Sequence, residues 1–126
     1  MKFEPAPDIH ERLRVLVHRL EMKHIDAERI KCFRSKGSKA RAYARIWSLP
    51  RVWQKALGVR PHYVIEVLSE HFDKQSNQEQ TKTLIHELLH IPKTFSGATK
   101  PHACFDERID KRTVDRYYAT LQDAHP

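Results

Sequence analysis

The stretch SNQEQTKTLIHELLHIP, Ser76 to Pro92, carries both ends and both faces of one helix. Ser76 and Glu79 have the spacing of a capping box, in which the serine hydroxyl accepts from the backbone N–H near Glu79 and the glutamate reaches back. Pro92 has no N–H and biases Ile91 away from the α region, so it stops the helix. A helix from about Asn77 to about Ile91 is predicted. At 100° per residue Leu84, Ile85, Leu88, Leu89 and Ile91 form one apolar arc, while His86, Glu87 and His90 share the opposite side.

The plainest reading of that opposite side is the solvated face of an amphipathic helix. The residue types argue for more. Two imidazoles four residues apart, with a carboxylate next to the first, are what a catalytic zinc site places on one helical turn. The histidines ligate, and the glutamate acts as general base. A catalytic zinc takes three protein ligands and keeps a fourth position for water, so a third ligand should follow. After His90 the chain holds two prolines and a glycine before His102, a composition that cannot stay helical and can bend back. His102 is the natural candidate; Cys104, Asp106 and Glu107 lie just beyond it, and zinc accepts thiolate and carboxylate as well. Spacing alone does not choose among them.

With the run His86-Glu87-Leu88-Leu89-His90-Ile91-Pro92-Lys93-Thr94-Phe95-Ser96-Gly97 and His102, the chain resembles the zincin-like metallopeptidase family known from archaea and phages. The strand-like Tyr63-Val64-Ile65-Glu66-Val67 with Phe72-Asp73, and Arg34-Ser35-Lys36-Gly37-Ser38 leading to Ala44-Arg45-Ile46-Trp47, belong to the same resemblance, which runs roughly from Ile25 to His102. It implies a zinc-dependent peptidase in which His86, His90 and His102 hold Zn2+ and Glu87 is the catalytic acid/base. The substrate it implies is a polypeptide, and the reaction is hydrolysis of a peptide bond.

Around the motif, apolar residues at helical spacing (Ile9, Leu13, Leu16, Leu20) predict a first helix capped by Asp8 and ending near Met22 to His24. Glu28–Arg34, Ala40–Ser48 and Tyr63–Ser69 alternate as strands, and Arg51–Leu57 reads as a short helix between Pro50 and Gly58. A final helix from about Ala103 to Gln122 would bury Phe105, Ile109, Tyr117 and Leu121. The expected fold is α+β: one zincin-like domain over residues 1–126, with a small, mainly antiparallel sheet packed against the motif helix and flanking N- and C-terminal helices. At 126 residues the chain holds one core. Glu66, on the strand face away from Ile65 and Val67, is a candidate to orient a metal-bound imidazole. His62 and His71 are candidate cleft residues, and His10, His18, His24 and His125 read as surface histidines.

The net charge of +7 is concentrated in one segment. Between Arg29 and Ile65 there are ten basic residues and no Asp or Glu; the rest of the chain carries 13 basic against 16 acidic residues. With Tyr43, Trp47 and Trp53 among these charges, segment 29–60 could contact nucleic acid through phosphates and stacked bases. The plainer reading is a solvated basic face with the tryptophans in the core. The rival function is therefore a nucleic-acid-binding module with a structural zinc or none, and a peptidase recruited to DNA joins the two. A structural zinc would be closed by a fourth protein ligand, for which Cys104 is placed. Cys32 and Cys104 form no CxxC pair, and both are expected to be reduced, Cys32 packed in a strand. No apolar run approaches the roughly 18 residues of a membrane span, and the first residues lack the hydrophobic stretch of a signal peptide. A soluble, cytoplasmic protein is expected.

Overall fold

The computed structural model describes residues 1–123, so His125 lies outside the described residues. In chain order the elements are β1 (Lys2–Pro5), α1 (Pro7–Arg19), a 3-10 turn (Ala27–Arg29), β2 (Ile30–Lys36), β3 (Ala44–Trp47), α2 (Arg51–Leu57), β4 (Tyr63–Leu68), α3 (Ser69–Phe72), α4 (Asn77–Leu89) and α5 (Lys111–Asp123). The strands form one sheet in the order β1-β2-β4-β3. The β1/β2 and β3/β4 pairs are antiparallel and the central β2/β4 pair is parallel. The fold is α+β with a small, mostly antiparallel open sheet, as expected.

The motif helix α4 forms because its ends and its apolar arc agree. Ser76 Oγ accepts from Glu79 N at 3.1 Å, the first half of the predicted capping box. The reciprocal half is replaced by a 3.9 Å approach of Glu79 to Lys82. Leu84, Ile85 and Leu88 are fully buried, each contributing about 1.5–3 kcal/mol by leaving water. The helix ends at Leu89 rather than Ile91: His90 caps it in the right-handed α region, and Pro92 prevents a further turn. Against this arc pack Ile9, Leu13 and Leu16 of α1, Ile30 and Cys32 of β2, Tyr63, Ile65 and Val67 of β4, and Val114 and Leu121 of α5. Burial pushes the Cys32 thiol up to about 12, so it behaves as a small apolar residue.

Several boundaries differ from expectation for identifiable reasons. The first helix has no side-chain cap; it starts at Pro7, a residue suited to a first turn. Asp8, the predicted cap, instead forms a two-pronged ion pair with Arg34 of β2, at 2.6 and 2.5 Å. β3 keeps only Ala44–Trp47 of the predicted Ala40–Ser48, because residues 37–43 are spent crossing the end of β4 from β2. The last helix begins at Lys111 and not near Ala103: Asp110 Oδ1 accepts from Thr113 N at 2.9 Å and caps it there. Phe105, predicted to be buried, falls in the irregular segment before that cap and is fully exposed. β1 and α3 are elements the sequence reading lacked.

Sheet register also defines two faces. Tyr63, Ile65 and Val67 point into the core, while Val64, Glu66 and Leu68 point the other way. Arg45 stands opposite Glu66, and Trp47 opposite Val64. Glu66 is fully buried, and it accepts from Arg45 Nε at 2.9 Å, Arg45 Nη2 at 3.3 Å and Trp47 Nε1 at 2.9 Å. Burial opposes its ionisation, but these donors and the Arg45 charge outweigh that and hold its carboxyl below the ordinary value.

Candidate active site

The polar side of α4 is not a solvated face. Glu87 and His90 are buried and His86 is half-buried, because the segment after the helix folds back across them. Lys100 N donates to His90 O at 2.7 Å, and the Lys100 carbonyl lies 2.5 Å from His90 Nδ1. That pair of bonds clips residue 100 to the end of α4 and brings His102 over the helix.

Further back the loop is pinned by Tyr63 of β4. Its hydroxyl donates to Ala98 O at 2.7 Å and accepts from Gly97 N at 2.9 Å. Leu49 N donates to Gly97 O at 2.8 Å, and Gln54 Nε2 donates to Leu49 O and Ser96 O, both at 2.8 Å. Gly97 has φ +95°, and a Cβ there would sit 2.4 Å from Gln54 Nε2 and 2.5 Å from Leu49 O, so only glycine fits. Phe95 is held at φ 47°, a left-handed conformation that costs a bulky residue roughly 1–2 kcal/mol. Its ring is buried, edge-on to Tyr63 at 5.1 Å and 4.7 Å under the Arg29 guanidinium, and that packing offsets the strain.

The result is a convergence of three imidazoles. His86 Nε2 lies 3.1 Å from His102 Nε2 and 3.3 Å from His90 Nε2, and one ligand atom from each ring lies within 4.8 Å of the others. A tetrahedral cation with Zn–N bonds of about 2.0–2.1 Å places its ligand pairs about 3.3–3.4 Å apart. Both spacings from His86 are close to that separation, and the His90–His102 pair lies within 4.8 Å. Protonation agrees: burial, reinforced by the charges His90 and His102 would carry, lowers His86 to about 4. Burial likewise lowers His90. Both rings are neutral near pH 7, as ligands must be. With Nδ1 donating to the Lys100 carbonyl, His90 keeps Nε2 free to accept.

Glu87 is raised to about 7 by burial. A divalent cation beside it would draw that value down again. Its carboxyl opens onto a cleft of about 410 Å³, lined on one side by Tyr43 and Ala44 at the start of β3 and on the other by Thr83, His86 and Glu87 of α4 and Lys111, Val114 and Asp115 of α5. β3 is a sheet edge, paired only with β4.

The other sequence candidates do not join this cluster. Cys104 Sγ donates to Asp106 at 2.8 Å, Asp106 pairs with Lys100 at 3.1 Å, and Glu107 pairs with Arg116 at 3.0 Å and accepts from Tyr117. Glu66 orients no imidazole; its oxygens are taken by Arg45 and Trp47 across the sheet. His62 Nδ1 is bonded to Arg60 O, and His71 stands edge-on to Tyr43, so neither meets the three histidines. The residues the sequence reading missed are positioning ones: Tyr63, Gly97 and Lys100. A buried tyrosine needs a hydroxyl partner and so signals an anchor, but nothing in the sequence says what it anchors.

A family model described as "Putative phage metallopeptidase" matches residues 1–118, nearly the whole chain. No curated protein and no solved structure matches it. None of the described helices is long and apolar enough to cross a membrane. On the family match the chain belongs to the phage metallopeptidases.

Proposed function

We propose that this chain is a zinc-dependent peptidase in which His86, His90 and His102 hold the metal, Glu87 moves the proton, and the whole chain works as one catalytic domain. The observation that carries this reading is the meeting of three imidazole nitrogens within 4.8 Å beside a buried carboxyl. Imidazole suits zinc, as it also suits copper, iron and nickel, and three histidines that leave one position for water are a catalytic zinc set. When bound, the cation supplies Lewis acidity, making water acidic near pH 7 and polarising a carbonyl. Glu87 takes the proton from the attacking water and gives it to the leaving amine nitrogen. The free edge of β3, ending in the cleft wall at Ala44, is available to an extended polypeptide that adds as a strand, main chain to main chain.

The test separates holding the metal from moving the proton. Purified protein should contain one zinc per chain, and Glu87→Gln should keep that zinc while peptide hydrolysis falls about 10²–10⁴-fold. A Glu87→Gln enzyme that cleaves at the wild-type rate removes Glu87 from this role.

A further inference from the structure

Apart from Tyr43 and Ala44 in the cleft wall and the free edge of β3, the basic segment and its aromatics have no place in the cleft chemistry, and the structure changes how they read. Neither tryptophan is in the core: Trp47 is 47% exposed and Trp53 56%. The short helix α2 has no buried residue at all and is moored to the body by Gln54. Its Val52, Trp53 and Leu57 face solvent, at a cost that a free-standing surface has no reason to carry.

Three residues separate α2 from Trp47 at the end of β3, and Trp47 stands on the sheet face opposite the core. Lys31, Val64 and Trp47 form one cross-strand row and Phe33, Glu66 and Arg45 the next. Rows repeat every 6–7 Å along the strands, and Lys31 and Trp47 are separated by about 10 Å across them. Within this face the one carboxylate, Glu66, is buried and neutralised by Arg45. The Trp47 ring is fixed by its bond to Glu66, with Arg45 5.3 Å from its centre. Lys31 on the face, and Arg51, Lys55 and Arg60 on and after α2, have no ion-pair partner among the described residues. By contrast Arg29, Arg34 and Arg45 are each spent on an internal carboxylate.

We propose that this outer sheet face and α2 bind single-stranded nucleic acid, with bases stacked on Trp47 and Trp53 and phosphates held by Lys31, Arg51, Lys55 and Arg60. A tryptophan ring held in place by Glu66 and a second on an exposed helix, with unpaired cations and no exposed acid in the same segment, are what a sequence-tolerant single-strand site requires. A second copy of the chain would bring like charges together. A bilayer calls for side chains that project and sink, whereas Trp47 is tied down in the sheet by its ring nitrogen. The proposal is independent of the metal site.

Trp47 and Trp53 are the chain's two tryptophans, so their own emission reports on stacking. Titrating the full-length protein with a 15-nucleotide oligothymidylate should quench that emission, and a labelled copy should report the same affinity by anisotropy. Log affinity should fall against log salt with a slope near −0.7 per phosphate held, about −3 for four cations. The triple variant R51A/K55A/R60A should flatten the slope by about 2. Trp53→Ala, on a helix that contributes nothing to the core, should weaken binding roughly five- to a hundredfold; Trp47→Ala, checked for folding by circular dichroism, should do the same. Absent quenching at tens of micromolar oligonucleotide, or unchanged affinity in the folded Trp53→Ala protein, overturns the proposal. So does an emission shift on phosphatidylserine vesicles that the oligonucleotide does not produce.

Discussion

His86 and His90 reach the candidate metal site from the second half of a helix, which is set in the core, whereas His102 arrives on a loop held by a handful of hydrogen bonds. Moving α4 means exposing Leu84, Ile85 and Leu88. Moving His102 means breaking the Lys100 clip and the Tyr63 anchor, bonds worth about 0.5–1.5 kcal/mol net apiece. Two of the proposed ligands are thus positioned by packing and one by polar contacts. Metal affinity should be limited by the loop and not by the helix.

The largest effect expected from that difference is at His90, which stands in both regions. His90→Ala removes a proposed ligand and the side-chain half of the Lys100 clip together, while His102→Ala removes a proposed ligand alone. Each should weaken zinc by more than about a hundredfold, beyond what losing a supporting contact costs, with His90→Ala the weaker binder of the two. Competition against a chromogenic chelator measures both. If His102→Ala holds zinc like the parent protein, the loop histidine is not a ligand and the comparison fails.

Gly97→Ala tests the loop without touching a ligand. The added methyl has no room against Gln54 and Leu49 and meets a left-handed backbone as well. A loss of about 2 kcal/mol or more is expected, read as a melting point lowered by roughly 6–12 °C at this chain length, with zinc weakened alongside. Parent-like melting and zinc affinity would mean that the loop has slack the structure does not suggest. Tyr63→Phe is gentler, since the ring stays and only the hydroxyl goes. Ala98 O and Gly97 N lose their partner, for about 1–3 kcal/mol. Zinc affinity should fall about tenfold, as for other supporting contacts, with the helical content of α4 intact by circular dichroism.

The same division marks what was legible in the sequence. α4 could be read to within two residues of its end because capping, periodicity and the Pro92 stop are local signals, and they carry His86, Glu87 and His90 with them. The loop could be named but not folded. Its prolines and glycine say that it turns, and the structure brings His102 rather than Cys104, Asp106 or Glu107 to the other two histidines because of long-range bonds from Tyr63, Leu49 and Gln54. Glu66 misled for a related reason: its partners Arg45 and Trp47 lie across a strand register that a single sequence does not display. β1 was invisible because Lys2–Pro5 is exposed at every position and has no buried face to create a pattern. The start of α5 was hidden because its cap, Asp110, is one more charge in the run Asp106-Glu107-Arg108-Ile109-Asp110.

The smallest expected effect lies just beyond His102. Cys104 is near enough in sequence to close a four-ligand structural site, yet its thiol donates to Asp106. That bond first, and the Lys100 ammonium second, hold the Asp106 carboxyl at about 2 against an ordinary value of 3.8. The sign follows from the depressed value: the tie is at full strength above about pH 3.8 and fades as pH falls through 2. Without the thiol, the Lys100–Asp106 pair still ties the segment at neutral pH. Cys104→Ala should therefore leave one zinc per chain and an affinity within about twofold of the parent. A carboxyl-detected NMR titration of the same variant should show the Asp106 pKa climbing part of the way to 3.8, with Lys100 still holding it below. A loss of zinc in this variant would move the fourth position from water to sulfur, and with it the site from catalytic to structural.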